Sequence, residues 1–384
     1  MRFINIDALL STLLVFVSML IFPLIFSLSF FDPFEKALAD FEITDVGFAE
    51  LHDQKATKPD TNITLINTKG LKFSHYLQLL EILQDIEPEV IGIMKNINEF
   101  GSSVEQKRIL SEKYNRKNIV VGYYNNIREK HEYTQAKIGY LNIFKDKDRE
   151  YFTAREFMPK IRIDRGIEYS FAYSVINIYD KRKSKALIKR NNDNERIFFK
   201  GNLEKFFWYH AFDLLKKPDE FIHLKDQILL LGDFTPDKIP YKIDQGYYTP
   251  LNEENVGRTF TDMYPIVLQA NIISMILKEN YYKSLPVSIT VVIAFLLCYF
   301  NMIIFKKINI KYKNWYEITS VLLFLIESII ILFMTVVLFH VYKFELNVTL
   351  TIFAIALSVF VYEGYQESVK PLTLKAINHI FKRK

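Results

Sequence analysis

The chain has 384 residues, of which 50% are hydrophobic and 24% are charged, with a formal net charge of +5. Its single cysteine, Cys298, excludes a disulfide within one chain and a metal site built from cysteines. No basic run alternates with aromatic residues, so the modest positive charge argues against a nucleic-acid-binding protein.

Four apolar stretches have the composition of membrane spans. The first, residues 8–31, carries no charge and exceeds the roughly 20 residues that cross a bilayer. It lacks the short apolar core and the small-residue cleavage site of a secretory signal, so we expect an uncleaved anchor. The other three spans are predicted at residues 285–305, 318–342 and 346–362.

The basic residues predict how these spans are oriented. They cluster in residues 306–317 and again in residues 363–384, and positive residues favour the cytoplasmic side of a membrane. Four spans then place the short N-terminus, residues 1–7, on the same side. Residues 32–284 are therefore predicted to form one extracytoplasmic domain, with both chain termini in the cytoplasm.

The order of predicted elements in residues 32–284 indicates an α/β domain. Residues 61–70, 89–94 and 118–124 are apolar, β-branched stretches typical of buried strands. Between the first two, an apolar stripe at helical spacing predicts a helix that begins at a Ser74 cap. This succession predicts parallel pairing of the flanking strands, and a mixed, largely parallel sheet with flanking helices.

Four further segments of the domain have a predicted structure. Residues 32–45 are predicted as a helix capped by Asp32, because proline follows at the first helical position. Residues 167–180 are predicted as a helix, and residues 226–234 as a buried strand that runs into a turn. Residues 181–196 are polar and basic, and we interpret them as an exposed excursion.

No catalytic or cofactor signature is visible. The sequence has no nucleophile elbow, phosphate loop or dinucleotide fingerprint, and its seven histidines do not pair at zinc-ligand spacing. Asp146, Asp148 and Glu150 alternate in a polar stretch that lacks the glycine and distal glutamate of a calcium loop. We interpret that stretch as a solvated hairpin tip, with a cation site as the alternative, and we expect no enzyme activity, cofactor or metal.

Polar side chains inside the predicted spans are candidate functional residues. Glu327 lies near the middle of a span, where a charged group costs about 2.5–3.5 kcal/mol on insertion scales. It is either a hydrogen-bonded residue that joins helices, with Asn301 or Ser328 as its partner, or a proton- or ion-sensitive switch. His340 lies near a span end, where a polar tip can reach the interface.

The C-terminal tail is a candidate docking segment. Its apolar residues fall on one helical face, with lysines elsewhere: Leu374, Ile377, Ile380 and Phe381. A short basic amphipathic helix can lie on an anionic membrane leaflet, and it can also dock a partner. A simple positive-inside anchor explains the same residues equally well.

A series of motifs follows in order along the predicted domain. It starts with the early strand–helix–strand and continues through the positions Gly139, Asn142, Asp148, Arg155, Gly232, Thr249, Pro250, Ala270 and Asn271. In this order the motifs resemble the type 2 CHASE family of bacterial extracellular sensory domains. The sequence departs from the family at its strand acids, here Asn67 and Met94, and before the last helix, at Pro265 and Gln269.

The resemblance implies a multi-pass protein of the bacterial inner membrane, with one span before the sensory domain and three after it. Many relatives carry a cytoplasmic effector after the third of these, and residues 363–384 are too short to form one. We therefore expect a non-enzymatic sensor that detects a ligand or an envelope state and relays it to a separate partner. That partner would be another membrane protein or a cytoplasmic protein, and a homo-oligomer is a further arrangement.

Two other functions remain as alternatives to the sensor. One is a structural subunit of a cell-envelope complex, for which the predicted domain would be an assembly platform. The other is an ion-coupled membrane component that uses Glu327.

Overall fold

The computed structural model describes residues 5–25, 42–45, 58–94, 103–124, 136–143, 153–163, 166–240, 246–252 and 260–372. The chain forms two compact units. We call Phe48–Tyr282 the α/β domain, and Met1–Gly47 with Lys283–Lys384 the membrane unit. Most of the predicted helix at residues 32–45, the acidic stretch at 146–150 and the tail residues 373–384 lie outside the described residues.

The described residues form strands and helices in the following chain order. The strands are β1 (Asp60–Asn67), β2 (Val90–Ile93), β3 (Ile119–Tyr123), β4 (Lys137–Tyr140), β5 (Glu156–Phe157), β6 (Lys160–Ile163), β7 (Gly166–Tyr169), β8 (Glu195–Arg196), β9 (Phe206–His210), β10 (Ile228–Gly232), β11 (Lys283–Ser284) and β12 (Phe344–Glu345). The helices are α1 (Ile6–Ile25), α2 (Phe73–Ile86), α3 (Val104–Tyr114), α4 (Phe171–Tyr179), α5 (Lys181–Lys189), α6 (Ala211–Lys216), α7 (Pro265–Lys278), α8 (Val287–Lys311), α9 (Tyr316–Tyr342) and α10 (Thr349–Gly364).

A six-stranded parallel sheet in the order β4-β3-β2-β10-β1-β9 is the centre of the α/β domain. The predicted strands in β1, β2, β3 and β10 are confirmed, and so is the largely parallel sheet. The predicted pairing of β1 with β2 is wrong, because β10 lies between them. All five residues of β10 are buried, and a central position is where such a uniformly apolar strand is covered on both faces.

The helix after β1 is confirmed, but its predicted cap is wrong. α2 begins at Phe73, its N-cap residue is Lys72, and no side chain caps it. The chain turns tightly just before it, where Leu71 N donates to Thr68 O and Gly70 adopts a φ of 82°. This turn, rather than a side-chain cap at Ser74, determines where the helix begins.

The basic segment at residues 181–196 is not an exposed excursion, so that interpretation is wrong. Its first part is α5, which buries Ser184 and Leu187, and its last two residues form the buried strand β8, paired with β5. The lysines alternate with an apolar stripe, so the helix is amphipathic rather than polar all round. The preceding helix prediction is confirmed for α4, whereas residues 167–169 belong to β7.

Three helices of the described chain are long and apolar enough to cross a membrane: Val287–Lys311, Lys313–Tyr342 and Thr349–Leu372. The apolar helix α1 packs against α8 and α10, and Ala8 and Val15 join their buried core. The part of α1 whose side chains are described, Ile6–Ile21, is shorter than a membrane span. A fourth span therefore stays a prediction.

The basic loop predicted at residues 306–317 is mostly helical. α8 continues to Lys311, which leaves only a short connection before α9 begins at Tyr316. Long lysine side chains can reach the membrane interface from the last turn of a helix, so helix and basic character are compatible there. At the other end of these helices, β11 pairs in parallel with β12.

Candidate functional site

Ligands of open parallel sheets bind in the crevice outside the carboxyl ends of the strands. In this domain β1 and β10 end side by side, and the residues that follow them bond to each other. Thr68 Oγ1 donates to Asp233 Oδ1 at 2.7 Å, and Lys69 Nζ donates to Thr235 Oγ1 at 2.7 Å. Lys69 and Asp233 are exposed, so their hydrogen-bonding groups are accessible to a polar ligand.

The two positions where the sequence lacks the family's strand acids lie at this same edge. Asn67, at the end of β1, is buried, and its Nδ2 donates to Phe234 O at 2.9 Å. Met94 follows β2, and its backbone N donates to Leu231 O. Asn67 therefore holds the turn after β10 in place and offers no carboxylate to a ligand.

Thr249, a family-motif residue, is fully buried and hydrogen-bonds to Asp262. Its backbone N donates to Asp262 Oδ1 at 2.7 Å, and its Oγ1 bonds to Asp262 Oδ2. Burial raises the pKa of Asp262 to about 7, against the lowering effect of the bonds from Thr249. This carboxyl group can therefore exchange a proton near neutral pH.

Asn271, another family-motif residue, fixes the backbone beside α7. Its Oδ1 accepts from Lys200 N at 2.7 Å, and its Nδ2 donates to Gly201 O at 2.9 Å. Gly201 has a φ of 149°, and a Cβ there would lie 2.4 Å from Lys205 Cγ. The glycine and the buried amide together direct the Lys200 side chain towards the start of β1.

Asp60, at the start of β1, binds the end of α7. Its Oδ2 accepts from Ser274 Oγ at 2.6 Å, Lys278 Nζ at 2.5 Å and Lys200 Nζ at 3.3 Å. Burial by itself would raise the pKa of Asp60, but the hydrogen bonds from Lys278 and Ser274 outweigh it and hold the pKa below its usual value. The carboxylate therefore stays ionised between two ammonium groups.

The last residues of the domain, 278–282, are held by charged side chains of other elements, and we call them the exit segment. Arg190 Nε donates to Glu195 Oε1 at 2.6 Å, and Arg190 Nη2 donates to Tyr282 O at 3.0 Å. The same guanidinium lies 4.4 Å from the centre of the Tyr281 ring, a cation–π arrangement. Glu195 is only 3% exposed, so its carboxylate is shielded from water.

Two more ion pairs hold the exit segment, Lys278–Asp60 and Lys183–Glu279, the latter at 3.2 Å. We call Asp60, Lys183, Arg190 and Glu195 the exit clamp. Sequence reasoning missed these residues because the stretch that holds three of them was interpreted as exposed. The signal that could have found them is the amphipathic pattern of residues 181–189.

In the membrane unit, Asn301 Nδ2 donates to Glu327 Oε2 at 2.7 Å and so joins α8 to α9. Asn301 is buried, whereas the Oγ of Ser328 is buried without a hydrogen-bond partner. His340 lies in the last turn of α9. Glu327 is thus brought together with Asn301 and not with Ser328.

Three helix ends of the membrane unit meet at Asp7, near the start of α1. Asp7 Oδ2 accepts from Lys306 Nζ of α8 at 2.7 Å and from Lys370 Nζ, which follows α10, at 3.0 Å. Lys306 Nζ also donates to Asn5 Oδ1. The start of α1, the end of α8 and the segment after α10 therefore lie at one end of the bundle.

The remaining predicted residues are scattered or lie outside the described chain. Gly139 lies in β4 and Gly232 ends β10, while Arg155, Pro250 and Ala270 are buried and Asn142 is half-buried. Asp148 and the tail residues Leu374, Ile377, Ile380 and Phe381 lie outside the described residues. Among the residues that the structure describes, no three histidine, cysteine, aspartate or glutamate side chains are grouped as a metal site would require.

These features define a multi-helix membrane protein with a parallel α/β domain. The model of the CHASE2 domain family matches residues 17–303. The chain therefore belongs to the CHASE2 family, a family of sensory domains. No curated protein sequence and no solved structure matches the chain significantly.

Proposed function

We propose that this protein is a non-enzymatic sensor of the cytoplasmic membrane that relays a stimulus to a separate protein. The α/β domain detects a ligand or an envelope state on the extracytoplasmic side. The membrane helices transmit the change, and the partner, a membrane or cytoplasmic effector, produces the output.

The observation that carries the proposal is the exit clamp. A relay requires that a change inside the domain reaches the chain that enters the membrane. Here the last five residues of the domain are held by side chains of β1, of α5 and of Arg190, which follows α5. Movement of any of these elements acts directly on the exit segment. A ligand shifts such a device only if it binds the two positions of the clamp with different affinity.

The carboxyl edge of the sheet is the stimulus site that we propose. Lys69 and Asp233 provide one group of each charge, and the bonds of Thr68 and Thr235 can be exchanged for bonds to a polar ligand. Helix α7 begins near this edge, where a Cβ on Gly232 would lie 3.1 Å from Ile266, and ends in the exit clamp. One rigid helix therefore connects the proposed stimulus site with the exit segment.

Purification from native membranes in mild detergent, followed by mass spectrometry of bound proteins, tests the proposal. We expect a signalling enzyme or effector to stay bound and to be lost when the chain is truncated after Ser368. A fixed set of envelope proteins that stays bound without residues 369–384 would contradict the sensor and identify a structural subunit.

A second measurement separates the sensor from an ion-coupled component. Because Glu327 bonds to Asn301 across two helices, we propose that it fastens α9 to α8. In that case Glu327→Gln leaves partner binding and output unchanged. Loss of an ion flux in assembled Glu327→Gln protein would favour ion coupling instead.

A further inference from the structure

One face of α5 carries a row of lysines that nothing in the described domain neutralises. Lys181, Lys185 and Lys189 are exposed and follow each other at intervals of four residues, so they lie along one stripe about 12 Å long. The two other basic residues of the helix are neutralised, because Arg182 pairs with Asp180 and Lys183 pairs with Glu279. In the part of the chain that the structure describes, none of the three lysines of this cationic row pairs with a carboxylate.

The helix cannot turn this row inward. Leu187 is buried on the side of the helix opposite Lys185, and Ser184, buried on the flank of the helix, donates from its Oγ to Asn177 Oδ1 at 3.0 Å. Arg190, directly after the helix, is fixed by Glu195 and by Tyr282 O. The cationic row is therefore held in a fixed orientation as part of the folded domain.

The covalent chain limits how far this end of α5 can lie from the start of α8. Arg190 is bonded to Tyr282, and only residues 283–286 separate Tyr282 from the first residue of the apolar helix α8. Five residue steps span at most about 18 Å when fully extended. This limit follows from chain length alone.

The exit segment has the composition of a membrane interface. Tyr281 and Tyr282 directly precede α8, and tyrosines are enriched where a membrane helix meets the headgroup layer. Two acids belong to the same end of the domain, Glu89 and Asp226: burial raises the pKa of Tyr179, and both acids, with Asp60 and Asp180, raise it further. Neither pairs with a lysine of the cationic row, so among the described residues the positive charge of this row remains uncompensated there.

We propose that the cationic row of α5, Lys181, Lys185 and Lys189, rests on anionic phospholipid headgroups of the membrane that the helices of this chain cross. Lysines near an anionic surface attract it within about one Debye length, and a row of three adds their effects. The contact would set the height and tilt of the domain above the bilayer. It goes beyond the proposed sensing function and does not depend on any stimulus.

The test uses the full chain in lipid nanodiscs, either of phosphatidylcholine alone or of phosphatidylcholine with phosphatidylglycerol in equal amounts. Mass spectrometry measures how fast an amine-reactive reagent modifies each lysine. In the anionic discs we expect Lys181, Lys185 and Lys189 to react at least about fivefold more slowly than in neutral discs, and about 0.5 M salt to remove the difference. The control lysines, Lys72 and Lys238, lie beyond the carboxyl ends of β1 and β10 and should react equally in both discs.

A matched variant completes the test. In Lys181→Gln/Lys185→Gln/Lys189→Gln, amide exchange of residues 181–189 should be the same in both discs, whereas in the unaltered chain it should be slower in the anionic discs. Lys72→Gln/Lys238→Gln should behave as the unaltered chain does. Equal lysine reactivity in the two lipids, or slow reactivity in both, would overturn the proposal.

Discussion

Strand β4 can approach helix α4 closely at Gly139 because glycine has no Cβ. A Cβ at this position would lie 2.5 Å from the Cα of Phe171 and 2.8 Å from its N, both of which are backbone atoms. We expect Gly139→Ala to lower the free energy of unfolding by about 2–3 kcal/mol, because the first turn of α4 would have to move. Thermal unfolding in detergent measures the change. Gly364→Ala is the control, since nothing lies within 4 Å of its added Cβ, and an equal loss in both variants would contradict the explanation.

Asp262 is expected to make the stability of the domain depend on pH. Burial raises its pKa from 3.8 to about 7, so the folded chain binds this proton more tightly than the unfolded chain. The stabilisation is complete below pH 3.8 and is lost as the pH rises through 7, with a slope of up to about 1.4 kcal/mol per pH unit.

Melting temperatures between pH 5 and pH 8 test this expectation. Asp262→Asn should flatten the decline, because the amide carries no titrating proton. The exposed Asp219→Asn serves as the control and should keep the slope of the unaltered chain. A decline of the same steepness in Asp262→Asn would assign the pH dependence to other groups.

At the scale of elements, the exit clamp depends on the forked geometry of arginine. Arg190 donates two bonds to Glu195 and one to Tyr282 O, and a lysine ammonium cannot reproduce this planar arrangement. We expect Arg190→Lys to speed amide exchange in residues 279–284 about tenfold, equivalent to one lost charged hydrogen bond. Arg182→Lys is the matched control, because its side chain is 90% exposed beside Asp180. Equal exchange in both variants would mean that the clamp does not restrain the exit segment.

The contact between α8 and α9 depends on one amide. In Asn301→Leu, Glu327 loses the hydrogen bond that Asn301 Nδ2 donates to it. A hydrogen bond between membrane helices is worth about 0.6–2 kcal/mol. We expect Asn301→Leu to lower the melting temperature by several degrees. Glu327→Gln should change it little, since its amide oxygen can still accept from Asn301.

Thr335→Val provides the control for this pair, because Thr335 Oγ1 bonds only within its own helix, to Ile331 O at 2.8 Å. The role assigned to Asn301 would be wrong if Glu327→Gln destabilised the protein as strongly as Asn301→Leu.

At the scale of the whole molecule, the orientation in the membrane can be tested with single cysteines. On a Cys298→Ala background, Lys238→Cys places a thiol in the α/β domain, and Lys307→Cys places one near the end of α8. We expect a membrane-impermeant maleimide to label Lys238→Cys in spheroplasts but Lys307→Cys only after lysis, because lysine-rich ends stay in the cytoplasm. Labelling of Lys307→Cys in intact spheroplasts would reverse the predicted topology.

The contacts of Asp7 agree with the expectation that the lysine-rich helix ends lie on one side of the membrane. Asp7 joins the start of α1 to Lys306 and Lys370, so three helix ends that the charge pattern assigns to the cytoplasm lie together. The start of α1 and the end of α8 can lie on the same side only if the chain crosses the membrane an even number of times between them.

Features that depend on one segment at a time could be predicted from the sequence. Apolar length predicted the three helices that can cross a membrane, and apolar, β-branched runs predicted β1, β2, β3 and β10. The ordered motifs predicted the family. These signals are local, because hydrophobicity and periodicity can be evaluated without knowing what a segment packs against.

Which distant segments meet is visible only in the folded chain. There β10 lies between β1 and β2, Leu187 and Glu195 are buried in a stretch that was interpreted as exposed, and Lys278 meets Asp60 across 218 positions of the chain. The exit clamp consists almost entirely of such contacts. A lysine and an aspartate have the same local pattern whether or not they pair, so their pairing follows from the packing of α7 and α5 and not from either segment alone.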